Sequence, residues 1–178
     1  MLIDIGANLT HQSFRSDIES VITRARKSKI EKIIVTGTCV DSSIEAQQLT
    51  DKFSSIYSTA GIHPHHAEET CEETISDLEK ILQLPKVVAV GETGLDFFRD
   101  YTAPETQISS FEKHIELATK TQLPMFLHER DAHKTFYDLV RASRDKLGRL
   151  VVHCFTGDKE ALFKYLDLDC YIGVTGWV

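Results

Sequence analysis

The chain has 178 residues, 42% of them hydrophobic and 26% charged, which is ordinary globular usage and excludes disordered and fibrous classes. Its net charge of −7 excludes gripping a long polyanion by charge alone, which needs a basic stripe, but not a pocket that holds one phosphate through a metal. No apolar run approaches the roughly 18 residues of a membrane span, and Met1-Leu2-Ile3-Asp4 has no basic lead, so a cytoplasmic protein with no membrane partner is expected.

Short β-branched runs alternate with amphipathic stretches. Leu2-Ile3-Asp4-Ile5 is the first run, followed by Ile18, Val21, Ile22 and Ala25 at helical spacing. Lys32–Gly37 is the second, and a helix opening at Asp41 or Ser42 follows it. Ile56–Ile62 is the third, ending at His63-Pro64, before a helix with Ile75, Leu78 and Leu82 on one side. Val87–Gly91 is the fourth; Pro104 then opens the longest helix. Met125–His128 and Leu150–His153 are the fifth and sixth, with a helix marked by Phe136, Leu139 and Val140 between them. Asp158 is the expected N-cap of a last helix, and Tyr171–Gly176 is the seventh run. The pattern predicts an α/β fold of seven strands and six helices in one domain, residues 1–178. Continuous apolar runs predict parallel strands buried on both faces. Two architectures survive, a doubly wound open sheet and a (β/α)8 barrel, and a complete barrel needs one more strand.

In either architecture the C-terminal strand ends share one rim, where sites form. His63 and His65 follow the third strand, Glu92 the fourth, His128, Glu129, Arg130 and Asp131 the fifth, and His153 the sixth. A lone histidine at a strand end is more often a hydrogen-bonded core residue than a ligand. Glu92, His128 and His153, however, arrive on three consecutive strands at equivalent positions. Two imidazoles and a carboxylate suit zinc, manganese or non-haem iron. No GxGxxG, Walker-type or GxSxG sequence occurs, which disfavours nucleotide-cofactor and serine-elbow chemistry. The four cysteines form no CxxC and read as reduced thiols. Cys154 reads as a buried thiol rather than a nucleophile.

Val90-Gly91-Glu92-Thr93-Gly94-Leu95-Asp96-Phe97 resembles the GE-x-GLDF signature of the TatD family of metal-dependent deoxyribonucleases, which are amidohydrolase-like TIM barrels. Ala60–His65, Leu123–His133 and Val152–Gly157 resemble the family's third-, fifth- and sixth-strand motifs, and the likeness runs to Trp177. The resemblance implies an incomplete TIM (β/α)8-type barrel that lacks its last strand and flanking helices. It implies that Glu92, His128 and His153 bind a divalent cation, magnesium or manganese, with zinc as a further candidate. Glu92 and Arg130 are then the catalytic residues. Arg130 would hold a phosphate, or else pair with Asp131 or Glu129. His63 and His65 would contact substrate or a second ion, and Asp96 would orient its neighbours. Gly6 and Asn8 stand where most members carry an HxH pair. That departure resembles the branch of 3′–5′ exonucleases acting on single-stranded DNA and RNA, monomeric at full length. Two competing readings are a metal-dependent amide or ester hydrolase on the same barrel, and an inactive remnant that binds partners or nucleic acid.

Overall fold

The structure, a computed structural model, describes residues 2–99 and 101–176; Trp177 lies outside them. Seven strands form one sheet in sequential order, every neighbouring pair parallel. They are β1 Leu2–Ala7, β2 Ile30–Val35, β3 Ile56–Ala60, β4 Val87–Asp96, β5 Met125–Arg130, β6 Leu150–Val152 and β7 Cys170–Ile172. The α-helices among the described residues are α1 Ile18–Lys27, α2 Val40–Lys52, α3 Glu72–Leu82, α4 Pro104–Thr121, α5 His133–Ser143 and α6 Lys159–Asp167. Each lies between two consecutive strands, as a parallel crossover requires. The sheet curls: a single hollow of about 520 Å³ touches every strand, from Ile3 on β1 to Tyr171 on β7. This is the wall of a TIM-type barrel rather than an open doubly wound sheet, whose order reverses at its switch point.

The core lies between the outer face of the wall and the helices. Phe111 on α4 stacks on Phe136 on α5, with ring centroids 5.3 Å apart, and Tyr165 on α6 meets Phe136 edge-on. A smaller cluster of Leu9, Ile33, Val35, Ala46 and Ile56 packs under α1 and α2. The concave face is less covered. Ile3 and Ile5 of β1, which line the hollow, are 49% and 37% exposed, and Leu2 at the start of the strand is 61% exposed. The expectation of two buried faces therefore fails at β1, because it pairs only with β2 among the described residues.

Two boundaries differ from the sequence pattern. β4 runs past Gly91 to Asp96, so Glu92 sits within the strand and not after its end. β5 continues beside it, pairing Gly94 with His128 and Asp96 with Arg130. Glycine is required for that approach: Gly91 and Gly94 have φ of +131° and +142°, and a Cβ there would strike the carbonyl oxygens of Phe126 and His128. α2 begins at Val40 with Cys39 as its N-cap, one residue before Asp41. The Ser42 hydroxyl accepts from the Cys39 and Thr38 backbone N–H groups, at 3.0 and 2.8 Å, and so belongs to the cap.

Candidate active site

Four strands converge on one carboxylate. Glu92 is only 8% exposed. Its Oε1 lies 2.5 Å from His153 Nε2, 3.2 Å from His128 Nδ1 and 3.5 Å from His63 Nε2. The bulge between Val90 and Thr93 of β4 turns the Glu92 side chain toward these rings. A second carboxylate stands beside it. Asp96 Oδ2 is 2.8 Å from His65 Nε2 and 3.2 Å from His128 Nε2. His128 thus bridges the two acids, one ring nitrogen to each.

Burial pulls the His128 pKa down, but hydrogen bonds to Asp96 and Glu92, and their charges, outweigh it and push it up to about 9. Burial opposes ionisation of both acids. Hydrogen bonds from His128 and His153 overcome it at Glu92 and hold its carboxyl well below the usual range. At Asp96, burial is outweighed by His128, the Arg99 backbone N–H and His65, with the same result. His63 behaves oppositely: burial lowers its pKa to about 3 in spite of the Glu92 charge, so its ring is neutral. Its Nδ1 accepts the His65 backbone N–H at 3.1 Å, capping a short 3₁₀ turn over Pro64–Glu69. The His63 proton therefore sits on Nε2, facing Glu92.

His63, Glu92 and His128 each offer a ligand atom within 4.8 Å of the other two. Two imidazoles with a carboxylate fit a divalent transition metal. The mutual spacing of the three ligand atoms selects His63 as the third member, although His153 Nε2 lies nearer Glu92. Tautomer argues for His153 instead, since an Nε2 that carries a proton donates and cannot ligate. Among the described residues the His153 ring hydrogen-bonds through Nε2 alone, which leaves its Nδ1 uncommitted, unlike that of His63.

The chain is similar to known proteins along nearly its whole length. A model of TatD-related DNases matches residues 3–178. The chain is 40% identical over 177 residues to the 3′-5′ ssDNA/RNA exonuclease TatD of Citrobacter koseri, covering 99% of this chain and 68% of that protein. The protein of the same name from Edwardsiella piscicida is 42% identical over 178 residues, with 99% and 68% covered. The chain belongs to the TatD-related DNase family. The crystal structure of YJJV, a TatD homologue from Escherichia coli K12, superposes with a TM-score of 0.92 at 30% identity, over 99% of this chain and 68% of that one. A TatD-family hydrolase from Entamoeba histolytica gives 0.90 at 31% identity, over 98% and 65%.

Glu92, His128, His153 and His63 meet directly, and His65 joins them through Asp96. Arg130 stands at the edge: its guanidinium lies 4.1 Å from the Phe98 ring centroid. Among the described residues it pairs with neither Asp131 nor Glu129; Glu129 accepts instead from the Ala132 N–H and the Tyr165 hydroxyl. Cys154 is half-buried rather than buried, with φ +49° and its Sγ 3.8 Å from Thr175 Oγ1. Gly6, where the sequence resemblance implies an imidazole in most members, has φ +98°, and a Cβ on it would stand 3.0 Å from the Phe126 ring. That ring stacks on His153 at 4.5 Å. Asp96, expected from the sequence to orient its neighbours, stands against His65 and His128. Its even separation of four from Glu92 puts both acids on one face of a strand.

Proposed function

We propose that this chain carries the active-site rim of a metal-dependent phosphodiesterase that removes nucleotides from the 3′ end of single-stranded DNA or RNA. The observation that carries the reading is the Glu92 carboxylate met by His63, His128 and His153, with Asp96 behind His128. The names of the curated relatives supply the substrate class.

Glu92, His128 Nδ1 and His153 Nε2 hold the cation. Asp96 fixes His128 by taking its Nε2–H, the usual carboxylate partner of a metal-bound imidazole. Manganese suits this donor set best, since magnesium prefers an all-oxygen shell. Bound there, the cation supplies positive charge to the phosphoryl oxygens and to the attacking water. The His63 Nε2–H donates to a non-bridging phosphoryl oxygen, and His65 orders the same edge through its ring contact with His63, centroids 4.3 Å apart. Arg130 presents a planar fork to the phosphate. Free thiols at Cys39, Cys71, Cys154 and Cys170 support a reducing compartment, the cytoplasm.

The test is digestion of single-stranded oligonucleotides with added manganese, magnesium or zinc, alongside calorimetric metal titration. Glu92→Gln is expected to reduce both metal affinity and hydrolysis by at least about a hundredfold while the circular dichroism spectrum is unchanged. Full activity in Glu92→Gln, or hydrolysis unaffected by a chelator, overturns the reading.

A further inference from the structure

Four aromatic side chains are markedly exposed among the described residues: Phe98, Tyr101, Phe163 and Tyr171. Phe163 lies on α6 and Tyr171 on the last strand. Phe98 and Tyr101, 56% and 65% exposed, both sit on the segment between β4 and α4, and both rest against site residues. The Phe98 ring carries the Arg130 guanidinium at 4.1 Å. The Tyr101 ring meets His65 edge-on at 4.8 Å.

Their footing is built, not incidental. Gln107 on α4 is 1% exposed, and its amide spans both ends of the segment. It accepts from Asp96 N–H at 2.8 Å and donates to Asp96 O at 3.0 Å and Thr102 O at 2.7 Å. Asp96 Oδ1 accepts the Phe98 and Arg99 backbone N–H groups at 3.1 and 3.0 Å, while its other oxygen faces His65 and His128. One carboxylate therefore fixes both the aromatic segment and the imidazoles of the candidate metal site. Both rings are thus held in place beside the site with more than half of their surface open to a ligand.

We propose that Phe98 and Tyr101 form a stacking platform for the unpaired bases at the 3′ end of a single-stranded nucleic acid. The proposal rests on the nuclease reading and extends it to how the strand is held. An aromatic face beside a cation-bearing rim matches the recognition of single strands, where each base offers a flat π surface and the backbone a negative charge. A duplex end keeps its bases stacked on one another, so the platform also selects for unpaired ends. Stacking reads no hydrogen-bond edge, so little discrimination among the four bases is expected.

The experiment is steady-state digestion of single-stranded oligonucleotides in manganese. Phe98→Ala and Tyr101→Ala are each expected to raise KM about tenfold, with kcat changed much less. Phe98→Trp and Tyr101→Trp keep a flat ring and are expected to retain the parental KM. The alanine penalties are expected to vanish on oligonucleotides whose 3′-terminal nucleotides lack bases. Unchanged KM in the alanine variants overturns the platform. So does an equal penalty on abasic ends, or a fall in kcat that tracks KM, either of which marks a merely structural segment. If the unsubstituted protein digests neither oligonucleotide, the nuclease reading itself fails, and the platform with it; a parent that digests both while the variants match it sinks the platform alone.

Discussion

At the scale of single residues, the site is governed by which ring nitrogen holds a proton. His63 has its Nδ1 committed to the His65 backbone N–H, which makes Nε2 a donor. His128 has an acid at each nitrogen and must release a proton before Nδ1 can bind a cation. Asp96 determines how readily that happens, because it keeps the remaining proton on Nε2. Asp96→Asn is therefore expected to weaken metal binding by about 10–100-fold, the usual effect of losing an outer carboxylate. Calorimetric titration with manganese checks this, and an affinity equal to the parent's would show that Asp96 serves only the aromatic segment.

At the scale of elements, the strands deliver the chemistry and the longest helix supports it. α4 contributes Gln107 under the site and His114 under β3. His114 is fully buried, donates from Nδ1 to Ser110 O at 2.7 Å and accepts the Ile62 N–H on Nε2 at 3.0 Å. Both nitrogens are used by the neutral ring, so a second proton would face an N–H group. Burial accordingly lowers its pKa from 6.5 to about 4, against the raising effect of the Ser110 carbonyl. The neutral form is the folded form. Its stabilisation is fully present above pH 6.5 and is lost as pH falls toward about 4. That loss amounts to about 3 kcal/mol. Urea titrations across this window are expected to show it, and His114→Gln, less stable at neutral pH, is expected to show a flatter dependence. An equally steep dependence in the variant would assign the acid sensitivity elsewhere.

At the scale of the whole molecule, the wall has two edges among the described residues, at β1 and β7. Ile3 and Tyr171 are 49% and 60% exposed on them, and the hollow between is largely apolar. Exposed apolar strand edges invite pairing with another chain. Residues 1–178 by themselves are expected to self-associate, which light scattering after size-exclusion chromatography reads as a mass above the monomer's. A strictly monomeric species at high concentration would mean that the edges are protected by their own twist and side chains.

Hydrophobic periodicity alone determined the alternation of seven strands and six helices, since burial on two faces of a strand or one face of a helix leaves a local trace. It also determined that His63, Glu92, His128 and His153 share a rim, because parallel strands all end on the same side. The apolar run ends at Gly91, so periodicity stops the fourth strand there, and only the approach of β5 carries it on to Asp96. Tertiary structure alone decided the bridging role of His128 and the clamp of Gln107, while the tautomer of His63 came from a local turn. Each depends on hydrogen bonds between residues brought together by chain folding or by a local backbone turn, and no local pattern of polarity records where such a bond will close.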